Sequence, residues 1–303
     1  MPQPSPTPEG SLPSVLIELD LGSSVGNAYG PTALAVDGDT AYVLCRRYET
    51  LDSETSCVAV VDLEVGVLQD LWPLGETPTG VLAAGGGRVY VMYEGEAGEH
   101  LISLDAADGH KVYDVDLRSS MHVDGMWMDA QRGRLYLSLP DRIQVRDGRQ
   151  LNVIDDLLYP FKAVERHVTL TENMDALLIS LSNAIYAYDL PELVMRWHME
   201  TPLQPVRALI VDRSGESLMA QGPWPEQEGV NRVLFYGLDE GDLSKELTVE
   251  KERGELAWGD ASSGRLLFAR TAYPPAQSAT LRLWGTDLQG DGGNQERWLG
   301  SGL

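Results

Sequence analysis

Basic residues are scarce in this chain: 23 Lys plus Arg stand against 46 Asp plus Glu, a formal net charge of −23 over 303 residues. A nucleic-acid partner is not expected, because phosphate binding needs a basic footprint. Anionic membrane surfaces are disfavoured for the same reason, and solubility or a saline habitat accounts for the excess acid. No apolar run reaches the roughly 18 residues that a membrane span needs. The opening "MPQPSPTPEG" has neither the charged n-region nor the apolar h-region of a signal peptide. Helical periodicity is almost missing. So are the common catalytic motifs, GxSxG, HExxH, the P-loop and a GxGxxG that opens a helix. The five histidines, His100, His110, His122, His167 and His198, are scattered.

What is present is repetition. "PTALAVDGDTAYVLC" at residues 31–45 returns as "PTGVLAAGGGRVYVMY" at residues 78–93. The order is an apolar strand a, a "YVL"-like strand b, and a strand c ending in Asp. It recurs six times, with strand a starting near Pro31, Pro78, Val123, Glu165, Val206 and Glu255. The spacing of about 45 residues is that of propeller blades. Short alternating strands separated by turn signals predict an all-β fold, and six four-stranded sheets bury their faces only against one another. The expected architecture is a six-bladed β-propeller over residues 13–303, with seven blades as the alternative and residues 1–12 as a Pro-rich tether. "SVLIELDLG" at residues 14–22 has the form of a fourth strand without a blade, so it is expected to complete the last blade and remove an exposed edge. The Asp at the end of each strand c, Asp62, Asp105, Asp147, Asp189, Asp239 and Asp287, is read as a turn-former that bonds backbone N–H groups two residues on.

Residues 31–80, with Pro opening strand a, "AYV" in strand b, "VVDL" in strand c and "PLG..P" entering the next unit, resemble the YVTN-type β-propeller repeat. The match is good over two units and degrades through the other four. The resemblance implies the fold and little about function, since the class spans binding proteins, adhesins, scaffolds and some enzymes.

The two cysteines flank one loop: Cys45 ends strand b of the first unit and Cys57 begins its strand c. Antiparallel partners lie within reach of disulfide geometry, so a Cys45–Cys57 bond and an oxidising, exported location are expected. The Pro-rich tether would suit the spacer of a lipid-tethered exported protein. No cofactor is implied. "DLQGDGGN" near Asp287 has a passing likeness to a calcium loop but lacks the downstream Glu, and it is read as a Gly-rich turn.

Aligning the units on strand a places Thr32, Thr79, Asp124, Arg166, Arg207 and Glu255 in register at the strand starts, where a propeller opens its mouth, with His167 next to Arg166. Two readings stay open. The two Arg form a fork for an anion, or they neutralise Asp124 and Glu255 in a closed ion-pair network, which is the expected outcome. A calcium-dependent lactonase would need converging acids, and here two Arg interrupt them. Trp224 in "QGPWPEQEG" and Tyr273 in "TAYPPAQSA" are candidate rim aromatics for a peptide or glycan, whereas Trp127, Trp258 and Trp284 are assigned to the core. The preferred reading is a monomeric, non-enzymatic binding or assembly module for a protein, peptide or glycan partner. The alternative is a propeller-type hydrolase using His122, Asp124 and His167, with Asp orienting a histidine base.

Overall fold

Each repeat of the sequence folds into one antiparallel meander, because apolar alternation makes strands and Asp–Gly turns reverse them. The structure, a computed structural model, describes residues 29–47, 56–75, 77–95, 98–117, 122–162, 166–171, 173–212, 215–227, 229–250, 255–260, 265–272, 280–287 and 295–298. Beyond Val249, side chains are described at Leu256 and Leu266. The tether 1–12, the expected closing strand 14–22, Tyr273 and the Gly-rich residues 288–294 lie outside the described residues, as do the side chains of Glu255, Trp258 and Trp284. Among the described residues there are six four-stranded sheets. No helix among them is long and apolar enough to cross a membrane.

The chain divides into two compact units between Ser120 and Met121. The first holds two sheets. Sheet 1 is β1 (Tyr29–Asp37), β2 (Thr40–Arg47), β3 (Ser56–Asp62) and β4 (Val67–Pro73). Sheet 2 is β5 (Thr77–Gly85), β6 (Arg88–Gly95), β7 (Gly98–Asp105) and β8 (Lys111–Asp116). Their core lies between the sheets, where Leu44, Val58 and Trp72 of sheet 1 meet Val89, Val91 and Ile102 of sheet 2. On the other face of sheet 1, Cys45 and Cys57 are directly paired across β2 and β3. Both are buried, and both are free thiols in this structure.

The second unit holds four sheets. Sheet 3 is β9 (Gly125–Asp129), β10 (Arg134–Ser138), β11 (Arg142–Asp147) and β12 (Val153–Leu158). Sheet 4 is β13 (Arg166–Leu170), β14 (Ala176–Leu181), β15 (Ala184–Asp189) and β16 (Val194–Glu200). Sheet 5 is β17 (Ala208–Val211), β18 (Ser217–Pro223), β19 (Val230–Gly237) and β20 (Leu243–Glu250). Sheet 6 is β21 (Glu255–Asp260), β22 (Arg265–Ala272), β23 (Thr280–Asp287) and β24 (Gln295–Trp298). Core clusters again fill the spaces between consecutive sheets, around Tyr136 and Ile179, around Leu178 and Leu234, and around Phe235 and Leu256. Polar ties cross the same seams: Trp197 Nε1 donates to Leu238 O at 2.8 Å, and Leu256 N donates to Gln221 Oε1 at 2.5 Å.

The turns explain the regularity. Asp62, Asp105 and Asp147 each accept from the backbone N–H two residues on, at 2.8, 3.0 and 2.9 Å. In each case the residue four positions after the Asp donates back to its carbonyl at 2.8 Å, namely Gly66, Gly109 and Leu151. Asp189 keeps the carbonyl bond, from Leu193 N at 2.9 Å, but its side chain accepts from Arg196 Nε at 2.6 Å, because Pro191 two residues on has no N–H. The assignment of Asp239 is corrected: β19 ends at Gly237, the i to i+4 bond runs from Gly241 N to Gly237 O, and Asp239 sits inside the turn. The fourth strand carries an extra unpaired residue in sheets 1 to 5, at Gln69, Val112, Ile154, Arg196 and Ser244. Such bulges increase local strand twist, and two of them reach back to the turn, Gln69 to Asp62 and Arg196 to Asp189.

Candidate functional site

The first strands of sheets 4, 5 and 6 run beside one another, and their starts, with the start of β9, enclose a pocket of about 350 Å³. The alignment on strand a brings the right residues to it. Asp124 precedes β9 and is fixed by its backbone bond to Ser138 O at 2.9 Å, and Arg207 precedes β17 and is fixed to Gln221 O at 2.7 Å. Arg166 and His167 open β13. All four line the pocket. Thr32 and Thr79 belong to the first unit: Thr32 Oγ1 donates to Leu44 O at 3.2 Å, while the Thr79 hydroxyl is buried without a hydrogen-bond partner.

Inside the pocket, the charges are unevenly matched. Arg166 forms an ion pair with Asp124, and the Arg166 side chain is 14% exposed against 37% for Asp124. Burial pushes the Arg166 guanidinium below its ordinary pKa, yet Arg stays cationic in proteins. Its Nε is buried and makes no hydrogen bond. The Asp124–Arg166 half of the expected network forms, and the Glu255 side chain of the other half lies outside the described residues. Among the described residues, no carboxylate pairs with Arg207.

The histidine–carboxylate arrangement expected for a hydrolase is loose. His122 Nε2 lies 3.7 Å from Asp124 Oδ1 and its side chain is 65% exposed, while the other Asp124 oxygen faces Arg166. His122 does not line the pocket, whereas His167 does. Trp224 is away from it too. Its indole is half-buried against the core between sheets 4 and 5, and the Arg232 guanidinium covers the ring at 3.9 Å.

Sequence reading missed the pocket's apolar wall, made by Val168, Leu209, Ile210 and Leu256. The alternation along β13 and β17 was the signal, but residues flanking a charge in a strand start do not declare which face they line. Trp127, assigned to the core, packs on it and also borders the pocket. Its ring folds tightly over Gly125, where a Cβ would stand 2.5 Å from the ring edge.

No protein-family model and no curated protein matches the chain. Solved structures do. BamB from Moraxella catarrhalis is 12% identical with a TM-score of 0.54, covering 88% of this chain and 77% of that one. Kluyveromyces lactis Hsv2 is 12% identical with a TM-score of 0.59, covering 87% and 76%. The Myceliophteria thermophila Cps50 (Swd1) β-propeller domain is 15% identical with a TM-score of 0.55, covering 89% and 86%. At these identities the likeness speaks to architecture alone, and with the six antiparallel meanders it establishes that this chain has a β-propeller fold.

Proposed function

We propose that the chain is a non-enzymatic, exported propeller, a binding or assembly module whose ligand occupies the pocket at the starts of β9, β13, β17 and β21. The observation that carries this reading is the Asp124–Arg166 pair. It commits the pocket's described carboxylate to a cation, not to orienting a histidine base. Arg207 and an apolar wall are left facing the open space, a combination suited to holding a group. Within the propeller class, the YVTN-type repeat is the finer assignment, supported by the phrases beginning at Pro31 and Pro78. Export is supported by the facing cysteines.

The test pairs binding with turnover. Peptides and small acids that occupy the native pocket raise the melting temperature, and lactone and ester substrates are expected to show no hydrolysis above the buffer rate. Turnover that disappears in His167→Ala would replace this reading with the hydrolase.

A further inference from the structure

We infer that this pocket takes a carboxylate carried on a short apolar body, with the charge seated on Arg207. The inference rests on the pocket being the binding site proposed above, and it specifies the chemistry of what binds.

The argument begins with charge. The chain carries a net −23, so a small anion is repelled from most of its surface and needs a local reason to bind. At the pocket, Asp124 is answered by Arg166, and Arg207 adds a cation that no described carboxylate answers. A guanidinium presents a planar fork of donors that matches a carboxylate in two parallel bonds.

Size and polarity narrow the ligand. A cavity of about 350 Å³ is near the small end of ligand sites, which run roughly 300–1,000 Å³. Val168, Leu209, Ile210 and Leu256 form an apolar wall beside the charges. A sulfate or phosphate would leave that wall facing water. A carboxylate with a short hydrocarbon body uses both halves, whether it is a free acid or the C-terminus of a peptide ending in an apolar residue.

The experiment measures affinities by calorimetry on the full chain for four probes: hexanoate, hexanamide, an acetylated pentapeptide ending in Leu with a free carboxylate, and the same peptide as its C-terminal amide. At least one acid is expected to bind tenfold or more tighter than its amide. Arg207→Met is expected to erase that preference, and Arg207→Lys, which keeps the charge without the fork, to retain part of it. Which acid prevails identifies the source. Equal affinity for acid and amide would overturn the carboxylate assignment while leaving the pocket as a binding site. Binding of none of the four would overturn the carboxylate assignment as well, and unchanged stability in the presence of any peptide or small acid would remove the pocket reading beneath it. Circular dichroism and melting of both variants confirm folding, and a preference that survives in folded Arg207→Met places the anion elsewhere and contradicts the assignment.

Discussion

The indole of Trp72, on β4, lies flat against Gly109, in the turn between β7 and β8, so closely that a Cβ at position 109 would stand 2.2 Å from its Cγ. The second unit repeats the device: Trp197 on β16 covers Gly241 in the turn between β19 and β20, with a Cβ there at 3.2 Å. In both cases an outer strand of one sheet is keyed to a turn of the next. Gly109 also has φ +72°, so Gly109→Ala incurs backbone strain and overpacking together, roughly 2–5 kcal/mol. Gly38 has φ +60° with nothing within 4 Å, so Gly38→Ala is expected to cost only about 1–2 kcal/mol. Urea midpoints of the two variants give the comparison, and equal losses would contradict the keyed contact.

The facing thiols give a second prediction. Hydrogen bonding to Cys57, with burial, pushes the Cys45 thiol up, while the same hydrogen bond holds the Cys57 thiol down, so the thiolate of the reduced pair forms at Cys57. In protein made under oxidising conditions, Cys45 and Cys57 are proposed to bond, stabilising by about 2–4 kcal/mol on the chain-entropy estimate. Thiol titration of denatured, unreduced protein is expected to find none free. Two reactive thiols would remove both the bridge and the support for export.

Asp114 supplies a pH test. Partial burial pushes its carboxyl up, but hydrogen bonds from Lys111, His100 and Tyr93 outweigh this and hold it below the ordinary carboxylate value. Those contacts are 2.9 Å from Lys111, 3.0 Å from His100 and 2.9 Å from Tyr93. A depressed folded pKa gives stability that is present above the unfolded value of about 4 and lost as pH falls through the folded value. The melting temperature of wild type should therefore exceed that of Asp114→Asn at pH 7, with the gap narrowing below about pH 4. A gap constant from pH 7 to pH 3 would show that the ionised network contributes nothing.

Much of this was legible because it is local. Asp62, Asp105 and Asp147 declare their turns through bonds to near neighbours, and counting back from the strand ends placed Asp124, Arg166 and Arg207 at one pocket. Asp239 misled because the ladder ends two residues earlier, at Gly237. Leu151 and Leu193 adopt positive φ, 61° and 57°, at turn positions where nothing in a leucine announces it. That an Arg answers Asp124 was expected, but which of Arg166 and Arg207 does so was not legible, since side-chain reach across two sheets is a tertiary fact. Nor was the Trp72–Gly109 contact, which joins residues of different repeats.

Gln221 tests the seam beside the pocket. It is fully buried, and its Oε1 accepts from Leu256 N, the residue that brings β21 to the apolar wall. Gln221→Leu keeps the volume but leaves that N–H unsatisfied, at a cost of about 1–3 kcal/mol. Hydrogen exchange at Leu256 should accelerate by more than exchange at Leu178, a core residue of sheet 4. Equal acceleration at both would mean a global loss, not a loosened seam.

The unequal matching of Arg166 and Arg207 is the central claim, and their stability difference without ligand tests it most directly. Arg166→Met strands Asp124, and for a pair of this partial exposure a loss of about 1–3 kcal/mol is expected, between the surface and buried limits. Arg207→Met is expected to be neutral or stabilising, because it removes a cation held close to another. If Arg207→Met instead destabilises as much as Arg166→Met, and Glu255→Gln recovers the loss, the charges form a closed network and the pocket holds no cation free for a ligand.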